Sequence, residues 1–327
     1  MSDIITIGNA LIDAFLHLQD ANSHVHIDKE KKLLSVDFGQ KIMLDDSSFL
    51  LGGNACNVAV GLSRLGYDVS LMAELGNDEF ADKIIHTLHR EGVHTSLLLH
   101  SDAPSSFAMN LTFNGERTIF VQHQKRSHAF DFARLTSKWV YLTSMGDSWK
   151  HVYHGVATHI RQHPDILLAL NPGTKHVGQG RELVLDILPL TSVFIANKEE
   201  YQQLLHGEGG KDDTTAQELL HEMKKQGGKL LLLTDGDKGS YVLDENGNEY
   251  HVGIIPTEAK GKTGAGDAFS TGFMAGYMKN GDVVESLRLG TANASSVVSS
   301  IGAQTGLLHK NKLHLWHEKM QRVIVQE

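Results

Sequence analysis

A glycine-rich turn from Gly261 to Phe269 holds the residues best suited to chemistry in this sequence of 327 residues. It reads Gly-Lys-Thr-Gly-Ala-Gly-Asp-Ala-Phe and runs directly into a helical pattern. The first N–H groups of a helix lack acceptors within the helix and lie at the positive end of its dipole, so they can bind an anion. Asp267 falls in the first predicted turn, where a carboxylate can take the proton of an attacking hydroxyl. The turn therefore predicts phosphoryl transfer to an alcohol, with Gly264, Ala265 and Gly266 as an anion hole.

This turn also has a purely structural interpretation, because an Asp near a helix start is common without any catalytic role. It is not a P-loop, since no G-x-x-x-x-G-K-[ST] pattern occurs in the sequence,. The stretch Gly8-Asn9-Ala10 after the first apolar run does not supply the G-x-G-x-x-G of dinucleotide sites, which argues against an oxidoreductase that binds a dinucleotide.

A second glycine-rich stretch begins at Gly52 and reads Gly-Gly-Asn-Ala-Cys-Asn at the start of another helical pattern. The pair Gly52 and Gly53 lets the backbone approach a polar ligand closely, because no Cβ stands in the way. The amide of Asn57 can both donate and accept hydrogen bonds. This stretch is therefore predicted to contact a polar substrate.

Composition excludes several other classes of protein. The net charge is −9 with histidine neutral and no long basic run occurs, which argues against nucleic acid as the main partner. No stretch approaches the roughly 18 apolar residues of a membrane span, and the N-terminus lacks the features of a signal peptide. A cytoplasmic location without a membrane partner is expected. Cys56 is the only cysteine, so a disulfide framework is excluded.

The 20 histidines do not by themselves predict a metal site. Several lie three residues apart, such as His86 with His89, but a structural metal needs three or four converging ligands. Solvated helix faces explain such pairs better, and no structural metal is expected.

Buried strands alternating with helices must position these two glycine-rich stretches. The six apolar runs, many rich in β-branched residues, begin at Ile4, Val69, Trp139, Ile166, Ser192 and Lys229. Helical patterns span Asn54–Leu65, Asp78–Arg90, Trp149–Gln162 and Thr214–Gln226. Continuous apolar runs indicate strands buried on both faces, so the pattern predicts βαβ units and a doubly wound, mainly parallel sheet flanked by helices.

Two segments interrupt this alternation and are predicted to form a small separate sheet. Phe15–Leu51 is largely polar without a helical period, and Ser105–His123 alternates around the hairpin signal Asn114-Gly115,. Ligands of open α/β sheets bind beyond the carboxyl ends of the strands, so these segments are expected to form a lid there. A second hairpin is predicted at Asn246-Gly247. Small residues from Gly264 to Ser300 allow close helix packing or close approach to a ligand.

Together, the two glycine-rich stretches resemble the two signature regions of the PfkB, or ribokinase-like, kinase family. The resemblance extends over essentially the whole chain, with the motifs in the family's order. It implies one ribokinase-like α/β domain over residues 1–327, with lid segments inserted at about 15–51 and 105–123. It also implies an ATP-dependent carbohydrate kinase that uses Mg²⁺.

The resemblance assigns further site residues. Gly8 and Asn9 with Asp13 look like the family's first-strand motif, in which the aspartate holds substrate hydroxyls, although a helix or turn cap explains Asp13 equally well. Asn197 and Glu200 resemble the N-x-x-E motif, in which the glutamate positions magnesium through water and the asparagine lies near the phosphates; Asn197 is also a good helix N-cap. Besides Asn197, the resemblance assigns four more residues to ATP binding, which are Thr234, Gly236, Gly239 and Asn293. Gly302-Ala303 resembles the loop that closes this region in the family.

The sequence departs from the family pattern beside the catalytic turn. Gly261 stands where many members have an aspartate of a monovalent-cation site, so the resemblance does not extend to potassium activation. Lys262 next to it either supplies positive charge near the phosphates or is a solvated loop residue.

The acceptor is expected to be a small sugar phosphorylated on a hydroxymethyl group, with a ribonucleoside as the alternative. Both offer a vicinal diol, and Leu11, where ribokinase-like members have an asparagine, could pack beneath a base. The lid offers Phe107, Asn110 and Arg117 as further contacts. A catalytically silent sugar- or nucleotide-binding protein on the same fold is disfavoured because the base, the anion-hole glycines and Glu200 are all present. Lid sheets in this family often pair edge to edge, so a homodimer through the lid is expected.

Overall fold

The computed structural model describes residues 2–18, 23–31, 33–113, 116–207, 209 and 213–326. In chain order its strands are β1 (Ile4–Ile7), β2 (Leu11–Leu18), β3 (Val25–Asp28), β4 (Leu33–Val36), β5 (Leu44–Gly52), β6 (Val69–Met72), β7 (Glu74–Leu75), β8 (Leu99–His100), β9 (Phe107–Phe113), β10 (Glu116–Gln122), β11 (Trp139–Thr143), β12 (Leu167–Asn171), β13 (Thr191–Asn197), β14 (Leu230–Thr234), β15 (Ser240–Leu243), β16 (Glu249–Val252) and β17 (Val325–Gln326). Its α-helices are α1 (Asn54–Arg64), α2 (Glu79–Arg90), α3 (Trp149–Gln162), α4 (Gly173–Ile187), α5 (Lys198–His206), α6 (Ala216–Lys224), α7 (Ala265–Asn280), α8 (Val283–Val298) and α9 (His317–Arg322).

The main sheet has the strand order β17-β16-β15-β14-β13-β12-β11-β1-β6. The strands from β14 to β6 are parallel to one another, and β15, β16 and β17 continue the sheet in antiparallel fashion. The predicted mainly parallel sheet is therefore confirmed, and all six apolar runs contribute to it.

Helices cover both faces of this sheet. Side chains of a strand alternate between faces, and in β1 Ile4 packs with residues of α1, α2, α7 and α8. Ile5 and Ile7 pack on the other face with residues of α3, α4, α5 and α6. The two apolar cores explain why the parallel strands are apolar throughout, and they confirm the doubly wound architecture.

The four helices predicted from periodicity are present. α3 has the predicted bounds, α1 ends one residue earlier, and α6 is shorter than the predicted Thr214–Gln226. Asp78 precedes α2 and caps it, because its side chain accepts a hydrogen bond from Ala81 N at 2.9 Å. The small residues of α7 and α8 serve helix packing: a Cβ on Gly272 would lie 2.6 Å from Leu289 O.

A small separate sheet with the order β10-β9-β2-β5 forms the predicted lid. In it β2 pairs parallel with β9 and antiparallel with β5, and β9 pairs antiparallel with β10. The hairpin of β3 and β4 packs against it through Leu18, Val25 and Phe113. Phe107, at the start of β9, stacks on Phe80 of α2 with the ring centroids 5.7 Å apart.

The lid begins earlier than predicted, at Leu11 rather than Phe15. The apolar run that begins at Ile4 extends to Leu11, but only its first part forms β1, because the chain leaves the main sheet after Ile7. At Gly8 the backbone passes so close to β11 that a Cβ would lie 2.8 Å from Ser144 O. Asp13 consequently lies on a lid strand and not on the first strand of the core.

Of the two predicted hairpin turns, Asn246-Gly247 is confirmed between antiparallel β15 and β16. The side chain of Asp244 accepts hydrogen bonds from the backbone N–H groups of Asn246 and Asn248, which stabilises the turn. The turn Asn114-Gly115 lies outside the described residues, although the strands on either side of it, β9 and β10, pair as predicted.

Candidate active site

The predicted anion-binding turn lies at the N-terminus of α7. Gly264 precedes the helix with φ 78°, and a Cβ there would lie 2.4 Å from the Cβ of Ala303, so no other residue fits without displacement of that loop,. The N–H of Ala265 is directed at Lys262 O at 3.4 Å. The N–H groups of Gly266 and Asp267 follow in the first turn, where intrahelical acceptors are missing. The helix start therefore presents donors and positive dipole to the cavity described below.

Asp267 is the third residue of α7 and is held by α1. Asn57 Nδ2 donates a hydrogen bond to Asp267 Oδ2 at 2.8 Å. Burial raises the pKa of Asp267 from 3.8 to about 7; the Asn57 hydrogen bond opposes this rise, and the negative charge of Asp13 adds to it. A carboxyl group with a pKa near neutrality can accept and release a proton under physiological conditions.

Asp13 brings a second carboxylate to this region from the lid. It is buried in β2, and Asn110 Nδ2 of β9 donates to Asp13 Oδ1 at 3.4 Å. Burial raises the pKa of Asp13 to about 6, against the Asn110 hydrogen bond and the positive charge of Arg117. Two carboxylates with raised pKa values from different sheets thus face one site, which is typical of functional positions.

Gly52 and Gly53 make room for this arrangement. A Cβ on Gly52 would lie 2.0 Å from Asp13 Oδ2, and one on Gly53 would lie 2.5 Å from the backbone O of Asn9. Gly53 also has φ 96°, which disfavours any side chain,. Larger residues at either position would displace Asp13 or the chain between β1 and β2.

A cavity of about 290 Å³ runs along the carboxyl ends of the main strands. Of the residues predicted from sequence, it is lined by Gly266, Asp267, Asn197, Glu200 and Thr234. Ligands of open α/β sheets bind at this edge.

Asn197 and Glu200 form a capping box at the start of α5. Asn197 Oδ1 accepts from Glu200 N at 2.8 Å, and Glu200 Oε2 accepts from Asn197 N at 3.0 Å. Glu200 Oε1 accepts from the hydroxyl of Thr174 at 2.9 Å, and burial raises the pKa of this carboxyl group. Mg²⁺ prefers oxygen ligands and keeps several of its waters. A buried carboxylate with both oxygens already bonded, beside an amide and a hydroxyl, suits a magnesium ion held through water.

The remaining residues of the predicted ATP-binding set lie away from the cavity lining. Gly239 has φ 89°, and a Cβ there would lie 1.9 Å from Val252 O, so its type is required by the turn before β15. Gly236 begins the short 3₁₀ turn Gly236–Lys238 after β14. Asn293 is fully buried: its Nδ2 donates to Ala268 O at 2.7 Å and its Oδ1 accepts from Leu308 N at 2.8 Å. Its side chain thus joins α7, α8 and the C-terminal segment and does not reach the cavity.

Several residues that sequence reasoning missed also line the cavity. Lys175 is one of them, and its Nζ lies 3.0 Å from Asp147 Oδ1. His123, after β10, lies beside it, and burial lowers the pKa of this imidazole. Thr174 and Lys175 follow directly after β12 at the start of α4, and a strand end is the signal that could have identified them,.

Gly261 occupies the position at which the resemblance leads us to expect an aspartate. Its backbone N–H donates to Val298 O at 3.2 Å. Lys262 is exposed to solvent. Arg117 of β10 donates to the hydroxyl of Thr263, so the lid touches the turn that precedes α7.

The family model for "pfkB family carbohydrate kinase" matches residues 23–311. The chain therefore belongs to the PfkB family, and it is an ATP-dependent carbohydrate kinase.

Two curated relatives agree with the family. An uncharacterized sugar kinase of Archaeoglobus fulgidus is 27% identical over 265 residues, which cover 76% of this chain and 98% of the relative. A 5-dehydro-2-deoxygluconokinase of Lacticaseibacillus casei is 23% identical, with 98% of this chain and 96% of the relative covered.

Solved structures show the same fold. A nucleoside kinase of Methanocaldococcus jannaschii has a TM-score of 0.77 at 21% identity, covering 97% of this chain and 98% of that one. Arabidopsis thaliana ribokinase complexed with ribose and ATP also gives 0.77, at 20% identity and with 98% and 99% covered. A putative ribokinase II of E. coli in complex with ATP and Mg²⁺ gives 0.79, at 18% identity and with 98% and 100% covered.

The described residues contain neither a membrane-spanning helix nor a cluster of metal ligands. In these parts of the chain, no helix combines the length and the apolar character needed to cross a membrane. Within the same ranges, no group of three or more His, Cys, Asp and Glu side chains is arranged to hold a metal ion.

The raised pKa of Asp267 predicts a pH-dependent cost to stability. Because the folded protein holds this proton more tightly than the unfolded chain, the group's contribution to stability is lost as pH rises from about 4 to about 7,. We expect Asp267→Asn to have a higher free energy of unfolding than wild type at pH 8, by more than about 1 kcal/mol. Near pH 4 the two proteins should be equally stable.

Urea unfolding at both pH values measures this difference. The matched control is Asp45→Asn, which makes the same exchange at an exposed lid position and should change stability little at either pH,. Lower stability of Asp267→Asn at pH 8 would contradict the prediction.

Proposed function

We propose that this kinase transfers the γ-phosphoryl group of ATP to a hydroxymethyl group of a small sugar, with Asp267 as the general base. The observation that carries the proposal is the position of the Asp267 carboxylate, which faces the cavity from the first turn of α7 with a pKa near neutrality. A base with this pKa can remove the proton of the attacking hydroxyl and release it after transfer.

The start of α7 is proposed to stabilise the charge that develops during transfer. N–H groups of Ala265, Gly266 and Asp267 lie at the positive end of the helix dipole, with Gly264 allowing the turn,. Donors fixed in advance at the place where charge develops lower the barrier without reorganising during the reaction. Ala265 N–H contributes least in the present geometry, because it is directed at Lys262 O.

Asn197, Thr234 and Glu200 are proposed to hold the phosphate end of ATP and its magnesium. Glu200 would hold Mg²⁺ through water, and the metal supplies positive charge that neutralises the phosphates. Lys175 adds a positive side chain to the same cavity. Gly236 and Gly239 would shape the turn beside the nucleotide, and Asn293 would support it from within the α7–α8 packing rather than by contact. A cytoplasmic location agrees with ATP as the donor.

The acceptor subsite is proposed to lie between the lid and α1. Asp13 and Asn110 both present oxygen acceptors there, and Asn110 Oδ1 is buried without a partner among the described residues. Two buried acceptors suit a molecule with neighbouring hydroxyl groups. Gly52, Gly53 and Asn57 would complete this subsite, the two glycines by making room for Asp13 and the turn at Asn9. A sugar meets these requirements, as does the ribose of a nucleoside. No nucleic acid partner is proposed.

An ATP-consumption screen with Asp267→Asn tests the reaction. Wild-type protein is assayed with pentoses, hexoses, sugar phosphates, ribonucleosides and 5-dehydro-2-deoxygluconate, the acceptor suggested by a relative's name. With an accepted substrate, we expect Asp267→Asn to lower kcat by about 10²–10⁴-fold, because that is the usual contribution of general base catalysis. ATP affinity measured by calorimetry should change far less.

Three outcomes of this screen differ in meaning. Near-normal turnover of Asp267→Asn would remove this residue from the mechanism. Preference for ribonucleosides would replace the sugar by the alternative acceptor. ATP binding by wild type without consumption in the presence of any acceptor would favour a catalytically silent binding protein.

Asn110 provides a separate test of the acceptor subsite. Asn110→Leu keeps the number and branching of the side-chain heavy atoms but removes the unpartnered oxygen and the donor to Asp13. We expect the KM for the accepted sugar to rise about tenfold or more, since a site built to bond a hydroxyl discriminates strongly on that bond. The KM for ATP on the same variant is the internal control and should stay near the wild-type value. An unchanged sugar KM would place the acceptor elsewhere.

We further propose a homodimer formed through the lid. β10 is an edge strand of the small sheet, and it carries the exposed apolar run Ile119-Phe120-Val121. An exposed apolar edge strand is usually covered by another element. Pairing with the same edge strand of a second copy would cover both strands in a symmetric dimer. Phe120→Lys is expected to convert a dimer to a monomer in sedimentation velocity runs. Ile254→Lys, at an equally exposed position outside the lid, should leave the dimer intact. A monomeric wild type would refute this part.

A further inference from the structure

Two amide side chains form a chain of hydrogen bonds that ends on the Asp267 carboxylate. Gln304 Nε2 donates to Asn57 Oδ1 at 2.9 Å, and Asn57 Nδ2 donates to Asp267 Oδ2 at 2.8 Å. Gln304 and Asn57 are both more than nine-tenths buried. Gln304 does not line the cavity that holds Asp267, and its side-chain amide contacts Asn57 and Cys56.

We infer that Gln304 is a positioning residue of the phosphoryl-transfer reaction, because it fixes which end of the Asn57 amide faces Asp267. This inference rests on the proposed role of Asp267 as the general base.

The hydrogen-bonding capacity of the two amides makes the orientation of one depend on the orientation of the other. An amide has a donor end and an acceptor end, and a rotation of the Asn57 amide by about 180° exchanges them. If Gln304 donates, Asn57 must offer its oxygen to Gln304 and its NH₂ to Asp267. In the opposite orientation, Asn57 Oδ1 would face a carboxylate oxygen, which is repulsive whenever Asp267 is ionised. Gln304 therefore keeps the orientation that stabilises the ionised, proton-accepting form of Asp267.

The position of Gln304 is itself fixed from the protein surface. The Arg64 guanidinium donates to the backbone O of Gln304 at 2.5 Å, and it also bonds both carboxylate oxygens of Glu91 at 2.7 and 2.8 Å. The Gln304 NH₂ group also lies 3.9 Å from Cys56 Sγ, a weak acceptor beside Asn57. Cys56 Sγ and Asn57 Oδ1 lie on the same side of the Gln304 amide, and both favour its NH₂ end at that side.

Other titratable groups face Asp267, and a test must distinguish Gln304 from them. Asp13 faces Asp267 from the lid, and Cys56 of α1 and Tyr141 of β11 interact with it electrostatically. Glu200, Lys175 and His123 line the same cavity. Among these groups, only Cys56 contacts Gln304, so a neutral substitution at position 304 removes that weak contact and leaves the other groups unaltered.

The experiment compares Gln304→Met and Gln304→Glu with wild type by measuring kcat/KM between pH 5 and 9 with an accepted sugar. Met has a similar length and no donor, whereas ionised Glu accepts from Asn57 and so turns the carbonyl of Asn57 toward Asp267. We expect the midpoint of the acid limb to move up by about one pH unit or more in Gln304→Glu and by less in Gln304→Met. At pH 6, kcat/KM of Gln304→Glu should fall about tenfold, while the high-pH plateau stays near wild type.

Three controls keep this test specific. Gln217→Met makes the same exchange at an exposed position of α6 and should leave the profile unchanged. The neutral Met variant separates the loss of the donor from the added charge of Glu. Thermal unfolding of each variant reports folding, and if Gln304→Glu does not fold, Gln304→Met alone carries the test.

The outcomes separate this inference from the proposed function. If Asp267→Asn loses turnover and both Gln304 variants keep the wild-type midpoint, the inference is wrong and the proposed function stands. A uniform loss of kcat/KM at every pH without a shifted midpoint would also refute it, since a merely structural role predicts that result. If Asp267→Asn retains turnover, the proposed function fails and the inference fails with it.

Discussion

The site depends on one electrostatic constraint, which is that the Asp267 carboxylate is poorly solvated by water. The negative charge of Asp13 also acts on this carboxylate. Burial and like charge both disfavour ionisation, whereas a general base has to be ionised before it can accept a proton. The start of α7 and the hydrogen bond from Asn57 offset part of this cost,. Their balance leaves the pKa near neutrality, where a carboxyl group can exchange protons in both directions. The same balance explains why the site is expected to lower the stability of the folded protein.

The glycines of the two signature stretches act mainly through the space that they leave. Gly52 leaves room for the Asp13 carboxylate, Gly53 for the backbone of Asn9, and Gly264 for Ala303. Each is a point where the backbone of one element meets a residue of another at a distance that no side chain would allow. These contacts join the lid, the chain after β1, α1 and the C-terminal loop around one small volume. A substitution there would act on the positions of Asp13 and Asp267 even where the glycine touches no ligand.

The sequence predicted the features that arise from local patterns. The apolar runs identified the parallel strands, the helical period identified α3 to the residue, and the turn before α7 identified the position of Asp267. Apart from the pairing of the two lid segments, it did not predict which side chains from distant parts of the chain meet, because periodicity and capping contain no information about them,. Gln304 and Asn57 are 247 positions apart. The same limitation applies to the break after Ile7 and to Asn293, whose bonds to α7 and to the C-terminal segment become evident only when the helices are packed.

The turn that holds Asp267 and the proposed anion hole is therefore positioned from several directions at once. The lid reaches it through Arg117 and Thr263, the C-terminal loop contacts it where Ala303 meets Gly264, and α1 holds it through Asn57. A helix start alone would leave the Asp267 side chain free to choose among rotamers. The Asn57 hydrogen bond restricts the Asp267 side chain, and the other two contacts restrict the turn before it; one of these comes from the sheet that also holds Asp13. The position of the lid and the geometry around Asp267 are consequently coupled, because a displacement of the small sheet would move the Asp13 carboxylate and the Arg117 contact together.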